Sequence, residues 1–291
     1  MAVTHRARAA GALQPIETQC EYFPEAGVRF ALRRVVQRAP RARDEAPGRP
    51  PPRRDPFLPY EQALYVADLG ADHVALLNKY NVFEHHLLII TRDYEDQEAW
   101  LTAGDFRALW ECMGAFEAFG FYNGGRLAGA SQSHKHMQVV PLPLSGEGPA
   151  VPIAPLTREA VLSGGLGVAA GLPYVHALAA IPARWWEATG EGARSAFECY
   201  RSLLYSVGLC RGPAPTGRYQ TGPYNLLVTR RWMMLIPRRR EAFHSITVNS
   251  LGLAGAMLIR DEAQLAVLKR YGPMAALKDV TVPRAGGAAS S

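Results

Sequence analysis

One stretch of this sequence decides the fold that we predict: Gly129-Ala130-Ser131-Gln132-Ser133-His134-Lys135-His136-Met137-Gln138-Val139-Val140. Residues 134–140 have the composition of a strand that ends at Pro141. Because successive side chains of a strand point to opposite faces, His134, His136 and Gln138 share one face. The segment before the strand is rich in Gly and Ser, so its backbone amides and hydroxyl groups can surround an anion. The stretch therefore predicts two histidines and a glutamine beside a phosphate-binding loop.

This arrangement suits nucleophilic chemistry at phosphorus. A neutral histidine beside such a loop can attack a phosphorus atom and hold the nucleotidyl group covalently, provided that a partner on its other ring nitrogen fixes the tautomer. The Gln138 amide can donate to the oxygens that gain charge in the transition state. A structural role and zinc binding are the other interpretations, and the further zinc ligands available are scattered in sequence: His73, His85, His86 and His244. The same-face pair behind a Gly/Ser loop favours the nucleophile over the metal site, and the metal site over a structural role.

The flanking sequence predicts strands and helices around this stretch. Residues 86–91, HLLIIT, are a continuous apolar run that is typical of a buried strand. Thr102 begins a capping sequence, and apolar residues then recur at helical spacing as far as Phe119, so we expect one amphipathic helix before the Asn123-Gly124-Gly125 turn. Further along the chain we expect a helix over 191–207, strands between 225 and 236, and a long apolar helix over 251–268.

A weak internal repeat suggests two related halves. Tyr80-Asn81-Val82 precedes Leu88-Ile89-Ile90-Thr91-Arg92, and Tyr224-Asn225-Leu226 precedes Met234-Leu235-Ile236-Pro237-Arg238, with a long helix after each. Two strands and a helix used twice indicate a duplicated unit whose sheets join, although two copies can also arise by coincidence. Since no second His-x-His-x-Gln follows, we expect the second half to line the pocket without supplying catalysis.

The composition is that of a globular protein with anionic partners. The 291 residues are 48% hydrophobic and 20% charged, enough to bury a substantial core in one large domain or two small ones. The net charge of +6 favours a phosphorylated small molecule or nucleic acid. Many arginines lie in an Arg/Pro-rich segment, Arg33–Arg54, which we interpret as a solvated linker. An RNA-binding arm is the alternative, but the segment lacks aromatic residues for base stacking.

Several classes of protein are not indicated. The four cysteines are far apart and form no Cys-x-x-Cys pair, so neither a zinc ribbon nor a disulfide framework is expected. No run approaches the roughly 18 apolar residues that a membrane span needs, and the basic N-terminus lacks an apolar signal-peptide core. We therefore expect a cytoplasmic protein with no membrane partner.

Together these motifs resemble the diadenosine tetraphosphate phosphorylases, also called ATP adenylyltransferases. That family is a branch of the histidine-triad superfamily and is related to the hexose-1-phosphate uridylyltransferases. The resemblance covers about residues 56–268. It rests on residues 78–82 (NKYNV), residues 86–92 (HLLIITR), the His-Lys-His-Met-Gln strand with its loop, and residues 224–234 (YNLLVTRRWMM).

The resemblance implies roles for individual residues. His136 would be the nucleophile that forms an adenylyl-histidine, with His134 and Gln138 as the other catalytic residues. Contacts to nucleotide or phosphate would come from Arg54, Asn78, Lys79, Asn123, Gly129, Ala130, Ser131 and Gln132, and from Tyr224, Asn225, Leu226, Met234 and Arg238 in the second half. A glutamine at position 138, where hydrolases of the superfamily have a third histidine, favours transfer to phosphate over transfer to water.

Simpler alternatives stay open for some of these residues. At Arg54 the family favours lysine, and arginine is not an equivalent point charge. Lys79 could be a solvated surface lysine, and Asn123 could simply begin the Gly-Gly turn. Leu226 and Met234 could belong to the core. Arg238 is one of three consecutive arginines, so a neighbour could supply the phosphate contact.

We therefore predict an α+β fold, with a mainly antiparallel sheet built from two histidine-triad-like halves and helices packed on it. Residues 1–165 would form the half that carries the motif, and residues 166–291 the half that completes the nucleotide pocket.

The predicted reaction converts diadenosine tetraphosphate and phosphate to ADP and ATP through adenylyl-His136. Mg²⁺ or another divalent cation would be carried on the polyphosphate, with no metal site in the protein. The alternatives are a hexose-1-phosphate nucleotidyltransferase, a dinucleoside polyphosphate hydrolase, and a non-catalytic nucleotide- or RNA-binding module. We expect no nucleic-acid partner, and the oligomeric state is left open.

Overall fold

The computed structural model describes residues 2–36, 55–163, 165–212 and 215–284. Most of the Arg/Pro-rich segment, including Arg54, therefore lies outside the described residues. Within the described ranges the elements follow the chain in this order: α1 (Ala2–Ala9), β1 (Thr18–Glu25), β2 (Val28–Val35), β3 (Tyr65–Leu69), β4 (His73–Leu77), β5 (Leu87–Thr91), α2 (Ala103–Gly114), β6 (Ala118–Gly124), β7 (His136–Pro141), α3 (Ala154–Ser163), β8 (Leu166–Gly167), β9 (Ala177–Ala180), α4 (Arg184–Glu187), α5 (Thr189–Ser206), β10 (Tyr224–Val228), β11 (Trp232–Pro237), β12 (Ala242–Phe243), β13 (Ile246–Thr247), α6 (Ser250–Leu253), β14 (Ala256–Ile259), α7 (Glu262–Tyr271) and α8 (Pro273–Val280). None of these helices is long and apolar enough to cross a membrane.

Nine strands form one large sheet in the order β3-β4-β5-β7-β6-β10-β11-β9-β8. Every neighbouring pair in this sheet is antiparallel. The strands of the first half meet those of the second where β6 pairs with β10. This sheet and the helices packed on it confirm the predicted α+β fold with a mainly antiparallel sheet.

The two faces of the large sheet are covered differently. Helices α2 and α5 pack on one face, against alternate residues such as Met137 and Val139 of β7. In the second half the other face is buried under the small β1-β2-β14 sheet and helices α7 and α8. In the first half that same face carries His136 and Gln138. The motif therefore lies on a part of this face that the second sheet leaves uncovered.

The helix expected up to Phe119 is wrong in its second part. Helix α2 ends at Gly114, and residues 118–124 form strand β6. All seven residues of β6 are buried, so the strand lacks the alternation of apolar and polar residues that would distinguish it from a buried helix. Phe119 and Phe121 are two positions apart and pack in the same cluster, which is the spacing of a strand.

The long helix expected over residues 251–268 is also wrong. The structure has the short helix α6, strand β14 and helix α7 in its place. Gly255, with φ 91°, adopts a conformation that suits glycine and ends α6. Strand β14 then pairs in parallel with β2, and the Asp261 side chain caps α7 by accepting from the Gln264 amide. Residues 256–259 thus form a strand because they pair with β2, although the spacing of the apolar residues around them predicts a helix.

A buried ionic cluster ties β7 to the start of α2. Lys135 is 1% exposed, and its Nζ donates to the carboxylates of Asp105 at 2.8 Å and Glu95 at 3.0 Å. Asp105 also closes the capping box with Thr102 and contacts His73 Nε2 at 2.8 Å. Burial alone would raise the pKa of Asp105, but the hydrogen bond from His73 and the charge of Lys135 hold this pKa below its usual value. The cluster therefore fixes the strand from the face opposite to His136.

We predict that Lys135→Met lowers the free energy of unfolding by about 3–5 kcal/mol, because it leaves a buried carboxylate without its cationic partner. Urea unfolding measures this loss. The matched control is Lys269→Met, which breaks an ion pair with Glu21 whose side chains are 50% and 46% exposed. That exposed pair contributes less than about 1 kcal/mol. Equal losses in the two variants would contradict an anchoring role for Lys135.

Candidate active site

His136 is a buried histidine whose tautomer is fixed by the backbone. Its Nδ1 lies 2.8 Å from the carbonyl oxygen of His134. A carbonyl oxygen only accepts hydrogen bonds, so Nδ1 carries the proton and Nε2 keeps its lone pair. Burial lowers the pKa of His136 to about 4, and it outweighs the hydrogen bond to the His134 carbonyl oxygen, which raises this pKa. At neutral pH the ring is therefore uncharged, with Nε2 available as a nucleophile.

His176 shows what the same arrangement looks like when it is purely structural. Its Nδ1 lies 2.8 Å from the carbonyl oxygen of Tyr174, two residues earlier, as in His136. The backbone amide of Ala169, however, donates to His176 Nε2 at 2.8 Å. Within the described part of the chain, no group donates to Nε2 of His136. The free Nε2 is therefore the feature that separates the candidate nucleophile from a satisfied core histidine.

Both ring nitrogens of His134 have hydrogen-bond partners. Nδ1 lies 2.9 Å from both carboxylate oxygens of Asp55, and Nε2 lies 2.9 Å from Thr91 Oγ1 and 3.0 Å from the Thr91 carbonyl oxygen. His134 is also fully buried. Its ring shares a face with His136, as expected, but offers no free nitrogen. Its carbonyl oxygen, by contrast, orients His136, and a catalytic role for the ring stays a prediction.

Asp55 also anchors the loop that covers the site. Its Oδ1 accepts from the backbone amides of Phe57 at 2.8 Å and Leu58 at 2.9 Å. Burial opposes the charge of Asp55, but the His134 hydrogen bond and these two amides keep its pKa below the usual value. The Phe57 ring then packs edge-on against His136, with ring centroids 5.2 Å apart. Neither Asp55 nor Phe57 was predicted from the sequence, where an aromatic residue between Pro56 and Pro59 was the signal available.

Gln138 lies beside His136 on the same strand face, as the alternation predicts. Its Oε1 accepts from Nε2 of His86 at 2.9 Å. Nδ1 of His86 lies 3.2 Å from Nδ2 of Asn78. Within the described ranges no group bonds the Gln138 amide nitrogen, which therefore has both hydrogens available. His86 was noted in the sequence only as a strand residue and a candidate zinc ligand.

A cavity of about 350 Å³ opens in front of these groups. Six predicted site residues line it: Asn78, Lys79, Ser131, Gln132, His136 and Gln138. Its apolar wall combines leucines and aromatic rings: Leu64, Leu76, Leu77, Leu88, Phe57, Tyr60 and Tyr80. Lys79 is paired with Glu61 at the rim, and this hydrogen bond raises the pKa of Lys79. A larger groove of about 700 Å³ between α2 and α5 contains none of the predicted site residues. The volume of a cavity therefore does not identify the candidate active site.

In the loop before β7, the backbone of Gly129 lies close to Asn249. Gly129 has φ 89°, and a Cβ there would lie 2.8 Å from Asn249 Cβ, so glycine is required. The amides of Gly129 and Ala130 are used inside the turn, by Arg126 and Gly125 carbonyl oxygens. The backbone amides of Ser131 and Gln132 have no hydrogen-bond acceptor among the described residues. These two amides can therefore donate to an anion in the cavity.

The predicted residues of the second half lie elsewhere. Asn225 Nδ2 donates to Asn123 Oδ1 at 2.8 Å and to the Ala128 carbonyl oxygen at 2.9 Å, and both asparagines are buried. All five N–H donors of Arg238 are bonded to protein acceptors, among them Asn225 Oδ1 at 2.7 Å. The remaining three belong to the core: Tyr224, Leu226 and Met234.

None of these five residues of the second half, nor Asn123, lines the cavity. Their direct contact with a nucleotide therefore stays a prediction. The structure does show that the Asn123–Asn225–Arg238 network holds the Ala128 carbonyl oxygen, and with it the turn that leads into the Gly129–Gln132 loop.

Comparison with known proteins agrees with this geometry. The family model of the Ap4A (diadenosine tetraphosphate) phosphorylase N-terminal domain matches residues 1–159. The model of the ATP adenylyltransferase C-terminal domain matches residues 170–283. Diadenosine 5',5'''-P1,P4-tetraphosphate phosphorylase 2 of Saccharomyces cerevisiae is 25% identical over 243 residues, which cover 72% of this chain and 70% of that protein.

Two crystal structures of yeast Ap4A phosphorylase share the fold. The complex with Ap4A has a TM-score of 0.75 at 20% identity and covers 97% of this chain and 95% of that one. The complex with AMP has a TM-score of 0.76 at 20% identity, with coverages of 98% and 96%. From the family match over more than half of its length, the chain belongs to the Ap4A phosphorylase family.

Proposed function

We propose that this protein is a nucleotidyltransferase that cleaves diadenosine tetraphosphate (Ap4A) with phosphate to give ADP and ATP, and adenylylates ADP from ATP in reverse. The observation that carries this proposal is the free Nε2 of neutral His136, which faces the cavity beside Gln138 and the Gly129–Gln132 loop. Membership of the Ap4A phosphorylase family and the fold shared with the yeast enzyme support the same substrate.

In the first step the Nε2 lone pair attacks an α-phosphorus of Ap4A. A P–N bond forms, the bond from this phosphorus to the bridging oxygen breaks, and ATP leaves with that oxygen. The imidazole gains positive charge as the bond forms, and the Nδ1–H bond to the His134 carbonyl oxygen stabilises that charge. In the second step a phosphate oxygen attacks the same phosphorus, ADP forms, and His136 is released neutral.

The surrounding groups fit the charges of this reaction. The Gln138 amide nitrogen and the backbone amides of Ser131 and Gln132 would donate to the α-phosphate oxygens as these gain charge. Lys79, which is paired with Glu61, brings an ammonium group to the cavity rim. The wall of leucines and aromatic rings provides an apolar surface for an adenosine.

A divalent cation, Mg²⁺ in the first instance, is proposed to arrive on the polyphosphate. The described ranges contain no group of three or more His, Cys, Asp or Glu side chains that could hold a metal ion. Magnesium in enzymes that act on nucleotides is commonly held through substrate phosphates and water, so the cation would act by neutralising the tetraphosphate.

Product analysis tests the proposed reaction. With Ap4A, phosphate and Mg²⁺ we expect equal amounts of ADP and ATP, and without phosphate we expect no sustained turnover. His136→Ala should lower kcat by more than about 10³-fold, because the covalent route loses its nucleophile. AMP and ATP as products in the absence of phosphate would identify a hydrolase instead.

His176→Ala is the matched control for the His136 variant, because it removes a buried histidine with the same Nδ1 bond but outside the cavity. Its kcat, measured on folded protein, should stay within about threefold of the wild type. If His136→Ala kept a tenth of the wild-type rate while remaining folded, the assignment of the nucleophile would be wrong.

Gln138 should act mainly in the transition state. We predict that Gln138→Ala lowers kcat by roughly 10²–10³-fold with little change in KM, since the amide donates where charge develops. Steady-state kinetics with Ap4A at saturating phosphate measure both constants. A raised KM with an unchanged kcat would show that Gln138 binds the ground state and the transition state equally.

A further inference from the structure

A chain of hydrogen bonds leads from the backbone of Tyr80 to Gln138. The Tyr80 amide contacts Asn78 Oδ1 at 3.3 Å, and Asn78 Nδ2 contacts His86 Nδ1 at 3.2 Å. His86 Nε2 then contacts Gln138 Oε1 at 2.9 Å. Only the first group in this chain has a fixed role, because a backbone N–H can donate but not accept.

That fixed donor determines the direction of every later bond. Asn78 must turn its oxygen toward the Tyr80 amide, so its NH₂ group donates to His86 Nδ1. His86 Nδ1 then has no proton, and in the neutral ring the proton lies on Nε2. Nε2–H donates to Gln138 Oε1, which directs the Gln138 NH₂ group away from His86. An amide on its own has two nearly equivalent orientations, and this chain selects one of them.

The burial of His86 agrees with a single ring proton. His86 is 5% exposed, and burial lowers its pKa to about 4, although the hydrogen bond to Gln138 raises this pKa. A doubly protonated ring would point Nδ1–H at the Asn78 NH₂ group. The two neighbouring histidines thus hold opposite tautomers, with the proton on Nε2 in His86 and on Nδ1 in His136.

We infer that His86 is a positioning residue for the transfer reaction: its Nε2–H holds the Gln138 amide with the nitrogen, not the oxygen, toward the attacked phosphate. This inference deepens the proposed function and rests on it. With the amide reversed, Gln138 would turn a carbonyl oxygen toward the anionic phosphate oxygens and would repel the charge it should stabilise. This chain of hydrogen bonds therefore decides whether the Gln138 side chain attracts or repels the phosphate oxygens.

Kinetics of three variants test the inference. His86→Leu removes the donor and should lower kcat roughly 10- to 100-fold, with KM within about twofold. His86→Gln places an amide nitrogen near the position of Nε2 and should restore kcat to within about threefold of the wild type. The control is His85→Asn, at the adjacent position where φ is 58° and the ring contacts Thr4 on α1; its kcat should match the wild type. Asparagine tolerates this backbone conformation.

Nuclear magnetic resonance of ¹⁵N-labelled protein supplies a readout that does not depend on activity. Multiple-bond ¹H–¹⁵N correlation at neutral pH should show protonated Nε2 in His86 and protonated Nδ1 in His136. Protonated Nδ1 in His86, an unchanged kcat in His86→Leu, or equal losses in the Leu and Gln variants would overturn the inference. Failure of the wild type to form ADP and ATP would instead overturn the proposed function, whatever tautomer His86 shows.

Discussion

The hydrogen bond from Nδ1 of His136 to the carbonyl oxygen of His134 is the interaction on which the rest of the site depends. It leaves a lone pair on Nε2 only while the backbone of residues 134–136 stays fixed. The protein holds this backbone from both faces of the strand: Asp55 and Thr91 bond the His134 ring on one face, and Asp105 and Glu95 bind the Lys135 ammonium on the other. The buried charges of the Lys135 cluster thus act on the chemistry by orienting a single carbonyl group.

The large sheet is covered differently in the half that carries His136 and in the second half. β6 and β10 join the two halves edge to edge, so the face of the sheet that carries His136 continues into the second half. In the second half this side is covered by the β1-β2-β14 sheet, α7 and α8, and its residues form a closed core. Its buried asparagine and arginine bond to the turn before the Gly129–Gln132 loop. The second half therefore supports the loop that the first half uses.

Much of the site could be predicted from the sequence because local rules control it. Alternation along a strand puts His136 and Gln138 on one face whatever surrounds them, and Gly129 marks a backbone turn by itself. The other features depend on contacts between distant segments. Phe57 reaches His136 because Asp55 binds His134, and the roles of Asn225 and Arg238 depend on whether their donors face a cavity or each other. Similarly, β6 resembles a helix until its partner strands are known, since burial on both faces removes the alternation that identifies a strand. The short β14 is identified only by its pairing with β2, which is distant in sequence.

In the proposed reaction, Nε2 of His136 becomes covalently bound to an adenylyl group. The most direct measurement is mass spectrometry of the protein after mixing with Ap4A and Mg²⁺ in the absence of phosphate. We expect one added adenylyl group on the peptide that contains His136. This adduct should be stable in alkali, be lost in acid, and be released as ADP when phosphate is added. Turnover of Ap4A without any adduct, or an adduct on another residue, would contradict the proposed reaction.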